Sequence, residues 1–315
     1  MKPNTINLTQ TDGYVTCLYP HLSEESKISG TFVIIHGIAE HHSRYDAFAS
    51  FLNQNGFDVY LFDLRGHGTD KKLDELGIIS GDNGEGYSTL VSDTINILDY
   101  VHDNNRSDKL ILFGHSMGSF IARIVSFSYT DIDAAIFMGT AFENRATVLC
   151  AEFLTKFVMI KNGFKTLSPY LNKKIFSSRR YTSLSERTSY DWLSRRHPAV
   201  GMYINDPYCG FVCSAAMYHT LARLASVSGK LAYIKSTDHS LPILIISGEN
   251  DPVGSFGKGP TELFNIYQRL GFSKVDCTLY KDCRHELLQE INRQEIETDI
   301  SDWVKKAINS SKIKA

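Results

Sequence analysis

Four apolar residues, Leu110-Ile-Leu-Phe113, run without a break into Gly114-His-Ser-Met-Gly118, and helical spacing from Met117 to Ser128 follows directly. A strand that turns sharply into a helix needs small residues two before and two after its apex. Larger side chains would strike the neighbouring strand and helix. Such a turn lifts the Ser116 hydroxyl above the end of the strand and aims the helix N-terminus at whatever sits there. Its geometry demands a strand held inside a sheet and a helix packed on it. No other stretch restricts the fold as strongly.

The remaining pattern supplies that sheet. Two antiparallel strands are expected near the N-terminus. Buried-type apolar runs then recur at Thr31–His36, Asp58–Asp63, Ala134–Met138, Pro242–Ser247 and Val275–Tyr280. Helical spacing lies between them, over Tyr45–Gln54 with Gly56 just past its end, Ser88–Asp103, Thr261–Leu270 and Ile291–Ile308. Strands alternating with helices in this way predict an α/β chain, a mostly parallel sheet covered on both faces. The rhythm breaks from about Phe142 to Ser240, where only helical patterns occur, among them Glu152–Ile160 and Ala215–Ala225. A connection of that length is a substructure, which divides the chain into a core of 1–141 with 241–315 and an inserted helical segment of 142–240. Charge follows the division. The insert holds 14 Lys and Arg against 6 Asp and Glu, net +8, and the remainder 19 against 29, net −10.

These sums also exclude partners. A net charge of −2 over 315 residues leaves no basic field for nucleic acid. No run of 18 apolar residues is present, and the N-terminus lacks the apolar core of a secretory signal. Six irregularly spaced cysteines without a CxxC pair read as reduced thiols, so a cytoplasmic location is expected.

A serine hydroxyl attacks only when a base takes its proton and a carboxylate fixes that base's tautomer. Asp251, in Ser247-Gly-Glu-Asn-Asp251-Pro, follows one late strand, and His285, in Lys281-Asp-Cys-Arg-His285-Glu, follows the last. Glu249 is the rival acid, and Asp251 is preferred because it stands further out on the turn. The order Ser116, Asp251, His285 is that of a hydrolytic triad on a parallel sheet. An oxyanion needs two backbone donors. Met117 N–H is one; the loop His36-Gly37-Ile38-Ala39-Glu40-His41 supplies the other through Ile38, with Ala39 as fallback. In that loop only the amides are assigned work.

The blocks HGIAEHHSRY, LFDLRGHG, GHSMG, SGENDPVG and CRHE together resemble the monoacylglycerol lipase and lysophospholipase branch of the α/β-hydrolase superfamily, often catalogued with serine aminopeptidases. The resemblance runs from about residue 12 to 306. It implies an α/β-hydrolase fold with an eight-stranded, mostly parallel sheet and a helical cap between the sixth and seventh strands. It also implies the triad and oxyanion amides named above. The insert, through SRRYTSLSERTSYDWLSRR and NDPYCGF, resembles bacterial members. One departure is visible: Ala39 stands where monoacylglycerol lipases usually carry a second glycine, which stiffens the oxyanion loop.

Other prominent residues read as structural. His36, His67 and His115 are expected to brace loops, and Asp63 and Arg65 to pin the loop after their strand. His41 and His42 are adjacent but lack a further ligand cluster, so no metal is expected. Cys209 and Cys213 read as bystander thiols. Phe153, Phe157, Phe211, Val212 and Met217 are candidates to line an acyl pocket beneath the insert. The basic run Lys173, Lys174, Arg179, Arg180, Arg187, Arg195 and Arg196 faces solvent, docks on the acidic core, or meets a membrane or micelle surface. The expectation is a serine carboxylester hydrolase for a monoacylglycerol, lysophospholipid or similar small ester, using no cofactor. A peptidase or amidase with the same triad and a non-catalytic binding module remain as alternatives.

Overall fold

The computed structural model describes residues 5–79 and 86–309. Strands β1 (Ile6–Thr9) and β2 (Val15–His21) form the N-terminal hairpin. Then come β3 (Gly30–Ile35), α1 (Asp46–Gln54), β4 (Phe57–Phe62), α2 (Gly86–Asn104), β5 (Leu110–His115), α3 (Met117–Val125) and β6 (Ala134–Met138). Between β6 and the next strand lie α4 (Arg145–Asn162), α5 (Pro169–Phe176), α6 (Arg179–Thr182), α7 (His197–Asn205), α8 (Ala215–Ser228) and α9 (Leu231–Ile234). The chain returns through β7 (Ile243–Gly248), α10 (Lys258–Arg269), β8 (Val275–Tyr280) and α11 (Arg293–Asn309).

The eight strands form one sheet in the order β1-β2-β4-β3-β5-β6-β7-β8. Pairing is antiparallel for β1 with β2 and β2 with β4, and parallel from β4 to β8. Strands β3 to β7 are buried along their length, as two covered faces require, whereas β8 alternates because it is an edge. Side chains alternate between the faces. Val33, Leu112, Phe137 and Ile245 pack under α2, α3, α8 and α10, and Phe32, Phe113, Ile136 and Ile246 under α1 and α11. This is the α/β-hydrolase fold.

The glycines of the central turn have a steric reason to be there. A Cβ on Gly114 would collide with the Gly118 carbonyl, and one on Gly118 with the Ile35 carbonyl. The close contact of β5, α3 and β3 thus depends on both. Ser116 between them takes φ 52° and ψ −118°, and its amide donates to the Met138 carbonyl of β6 (2.9 Å). On α3, Arg123 is fully buried and donates to the carbonyls of Ala141 (3.0 Å) and Ser228 (2.7 Å). It fastens the start of the insert and the end of α8 to the helix that begins at Ser116.

Candidate active site

The C-terminal ends of β3, β5, β7 and β8 bring the expected groups to one place. Ser116, His285, Gly37 and Ile38 line the same cavity of about 90 Å³. A Cβ built on Gly37 would lie 2.7 Å from Glu40 Oε1 and 3.1 Å from the Ser116 Cβ, so the bare glycine backbone lets the loop after β3 lie close to both. Gly139 does the same on the other side, where a Cβ would lie 3.0 Å from the His285 ring.

Asp251 is completely buried. Its Oδ1 accepts from Val253 N–H (2.8 Å) and its Oδ2 from Ser247 Oγ (3.2 Å) and from His285 Nδ1 (2.9 Å). A carboxylate only accepts, so Nδ1 carries the proton and Nε2 keeps its lone pair. Burial alone would lower the His285 pKa; the Asp251 charge and hydrogen bond, with Glu286 and Glu40 behind them, outweigh it and raise it above the usual imidazole range. Glu249 is exposed.

Of the three amides Gly37 to Ala39 in the loop after β3, two are engaged. Gly37 N–H donates to Glu40 Oε1, and Ala39 N–H donates to His67 Nε2 (3.1 Å). That bond occupies the fallback donor and leaves Ile38. Met117 N–H opens α3, where a first-turn amide has no partner within the helix. Ala39 itself sits at φ 56°, the left-handed conformation that the glycine usual at this position adopts without strain.

The loop side chains do more than expected. Glu40 is buried and accepts from Gly37 N–H, Tyr45 Oη–H (2.9 Å), His115 Nδ1 (3.1 Å) and Arg44 Nε (3.1 Å). Burial alone would raise its pKa; the His115 hydrogen bond and charge, then the Arg44 charge, hold it below the usual carboxylate range. Arg44 also donates to Glu286 Oε2 (2.6 Å), beside His285, so one guanidinium joins the oxyanion loop to the histidine loop. The motif HGIAEHHSRY carried this signal, a Glu and an Arg four residues apart.

His36 and His67 brace loops as expected. Leu64 N–H donates to His36 Nε2 (3.0 Å), and His67 Nδ1 donates to the Arg65 carbonyl (3.0 Å). Burial lowers both pKa values, that of His67 to about 3, and keeps the rings neutral. Asp63 accepts from His42 N–H and Nδ1, both at 2.7 Å, while Arg65 reaches away to pair with Asp12 and Asp93. Burial pushes the thiols of Cys209 and Cys213 well above their ordinary range. Among the described residues, His41, Asp206 and Cys209 form the one group of metal-ligand type, with donor atoms within 4.8 Å of one another. In it His41 Nε2 and Asp206 Oδ2 stand 2.9 Å apart.

The insert supplies the remaining walls, though mostly not through the residues expected. Phe211 lines the cavity; Phe153, Phe157, Val212 and Met217 do not. Phe153 and Phe157 point away from it and are 77% and 56% exposed, while Met217 is buried in the core packing beneath α8. Val212 turns its carbonyl toward Gly77. The aromatic lining is instead Phe176, Tyr190, Trp192, Tyr203 and Phe211. Trp192 lies 5.2 Å from the His285 ring, and its carbonyl and that of Leu193 accept from the amides of His285 (3.4 Å) and Glu286 (2.7 Å). Tyr203 Oη–H (3.1 Å) and Gly210 N–H (2.9 Å) both donate to the Ala39 carbonyl. Of the expected basic run, Arg180, Arg187 and Arg195 are paired with Glu143, Asp191 and Glu290.

The family model described as "Serine aminopeptidase, S33" matches residues 26–292. The chain is 26% identical over 298 residues to a monoacylglycerol lipase of Mycolicibacterium smegmatis, covering 93% of this chain and 94% of that protein. A highly thermostable carboxyl esterase from Bacillus coagulans, solved with glycerol, superposes with a TM-score of 0.86 at 22% identity, over 98% of this chain and 99% of the esterase. A monoglyceride lipase from Saccharomyces cerevisiae gives 0.74 at 17% identity, over 98% and 96%. With most of its length matched, the chain belongs to the serine aminopeptidase S33 family and is a serine hydrolase of the α/β-hydrolase fold.

Proposed function

We propose that the chain hydrolyses the ester bond of a monoacylglycerol, a lysophospholipid or a similar small acyl ester, with Ser116 as nucleophile. The observation that carries this reading is the 2.9 Å contact of His285 Nδ1 with Asp251 Oδ2, in a ring that lines the same cavity as Ser116. Ser116 Oγ attacks the ester carbonyl carbon, and its proton passes to His285 Nε2. Asp251 holds the imidazolium, and the amides of Ile38 and Met117 hold the oxyanion. Collapse of the tetrahedral species breaks the bond to the alcohol, which leaves with the proton from His285. Water then attacks the acyl-serine, His285 takes its proton, and the acid departs with Ser116 restored.

An ester is favoured because the cavity walls are aromatic and the named relatives are lipases and an esterase. The family description favours an aminopeptidase as the second reading. The insert is read as a cap that closes over the acyl group. The six free cysteines fit a cytoplasmic location. A series of nitrophenyl esters of rising chain length, run beside aminoacyl arylamides, tests the proposal. Esters should be cleaved and arylamides left intact. A higher kcat/KM on an arylamide than on every ester would overturn it. A fluorophosphonate should label Ser116 alone.

A further inference from the structure

His41 closes the loop after β3, and the groups that face it come from the insert. Its Nε2 lies 2.9 Å from Asp206 Oδ2, and Cys209 Sγ completes a group whose donor atoms all lie within 4.8 Å of one another. Local structure brings the two insert residues together. After α7 the chain turns through Asp206-Pro207-Tyr208-Cys209, with Tyr208 N–H donating to Asp206 Oδ1 (2.9 Å) and Cys209 N–H to the Asp206 carbonyl (3.0 Å). A carboxylate and a thiol three residues apart thereby meet on one side of a turn, the spacing at which paired zinc ligands commonly sit. The sequence around His41 supplies neither group, because 165 residues separate it from Asp206.

A hydrogen bond between His41 and Asp206 accounts for two of the three groups and leaves the third over. Cys209 is buried, and its Sγ has no hydrogen-bond partner among the described residues. One imidazole, one carboxylate and one thiolate carry two negative charges, which a divalent cation balances inside the protein. Zinc takes nitrogen or oxygen at about 2.0 Å and sulfur at about 2.3 Å, so tetrahedral neighbours stand about 3.3–3.6 Å apart. The three donor atoms reach those separations by shifts of about an ångström. A thiolate in the set favours zinc over magnesium or calcium. Ser43 Oγ lies 2.9 Å from His41 Nδ1 and fixes the ring from behind, as a group behind a metal-bound histidine does. The Asp206 side chain is 31% exposed and gives a cation its way in from solvent. Arg44, the cation that faces the thiol, is already matched by Glu40 and Glu286.

We propose that His41, Asp206 and Cys209 bind a divalent cation of the zinc class, with water as the fourth ligand. The Cys209 thiol gives up its proton to solvent as the sulfur–metal bond forms. The ring proton of His41 moves from Nε2 to Nδ1, where it is donated to Ser43 Oγ. One proton leaves per cation bound, and nothing is oxidised or reduced. His41 belongs to the core and its co-ligands to the insert, so the ion staples the two together. The staple lies beside the bonds that Tyr203 Oη–H and Gly210 N–H make to the Ala39 carbonyl, and it sets how tightly the insert holds the oxyanion loop. The site is defined without reference to the chemistry at Ser116, and its test needs no turnover.

The test is titration of the reduced full chain with Co²⁺, whose absorption reports its ligands, followed by Zn²⁺. Wild type should take up one Co²⁺ per chain, with a thiolate-to-cobalt band in the near ultraviolet and the strong visible bands of four-coordination. Zn²⁺ should abolish both. Cys209→Ser should lose the near-ultraviolet band, and His41→Gln and Asp206→Asn should weaken Co²⁺ binding by about tenfold or more. Cys150→Ser, which removes the exposed thiol, should keep the band. Zn²⁺ should also raise the thermal midpoint of wild type and not that of Cys209→Ser, a comparison that holds even where the variant starts less stable. Wild type without a thiolate band at saturating Co²⁺ would overturn the proposal. So would a band that survives in Cys209→Ser or vanishes in Cys150→Ser, since the cation would then sit on another thiol.

Discussion

Two regions of the molecule treat their side chains in opposite ways. At the C-terminal edge of the sheet, Glu40, Asp251 and His285 are buried, and each has hydrogen-bond partners. On α4, Phe153, Phe157 and Ile160 are large, apolar and open to water. The insert takes part in both, since residues 190–210 grip the loops of the site while α4 turns outward. Buried, hydrogen-bonded groups gather at the sheet edge, and apolar area open to water gathers on α4. Substitutions should therefore sort by region. Those at the sheet edge should change the chemistry on every substrate, whereas those at Phe153 and Phe157, which do not line the cavity, should leave turnover of a short soluble ester unchanged.

The largest effect should come from Ser116→Ala, which removes the hydroxyl but respects the turn. A loss on the order of 10⁶-fold in kcat is expected on short and long esters alike, with the circular dichroism spectrum unchanged. Residual activity above a few per cent would show that the sheet edge does not carry the chemistry.

Next comes Asp251→Asn, for which a loss on the order of 10⁴-fold is expected because an amide does not hold the required histidine tautomer. It also has a pH signature. The base works only when neutral, and His285 is raised, so the acid limb of wild-type kcat/KM should lie above the ordinary histidine value of about 6.5. In Asp251→Asn burial acts without the carboxylate, and the limb should move down. Glu249→Gln should match wild type; a dead Glu249→Gln beside an active Asp251→Asn would reverse the choice of acid.

Tyr203→Phe cuts one of the two bonds from the insert to the Ala39 carbonyl. The expected loss is about tenfold in kcat, near the 1.4 kcal/mol that a misplaced oxyanion donor would cost, and equal for all chain lengths. A change confined to KM on long esters would mean that Tyr203 serves the pocket and not the loop. The smallest effect concerns Ala39, whose φ of 56° suits glycine. Ala39→Gly should stabilise the fold by about 0.5 kcal/mol, read as a shift in thermal midpoint, with kcat little altered. A destabilised variant would show that the loop is not strained there.

What could be read from the chain was whatever local chemistry decides. Gly114 and Gly118 are dictated by contacts within one turn, and Asp251 and His285 each follow an apolar strand directly, so order along the chain placed them. Ile38 was preferred to Ala39 from the loop's sequence alone, and the bond that engages the Ala39 amide joins residues 28 apart. Phe153 and Phe157 show the limit. Helical spacing reveals that a face is apolar but not which neighbour covers it, and here none does among the described residues. Trp192 and Tyr203 were missed because their work is done on loops about 90 and 160 residues away, at distances that no local period encodes.

Arg123 has a mechanical consequence. The cavity beside Ser116, about 90 Å³, takes its aromatic walls from the insert, so the position of those walls depends on how the insert is fastened to the core. Arg123 holds Ala141 where the insert departs and Ser228 where α8 ends, and freeing a buried guanidinium from its partners costs several kcal/mol. The helix that presents Ser116 is thus also the post to which the insert is tied, at its departure from the core and at the end of α8.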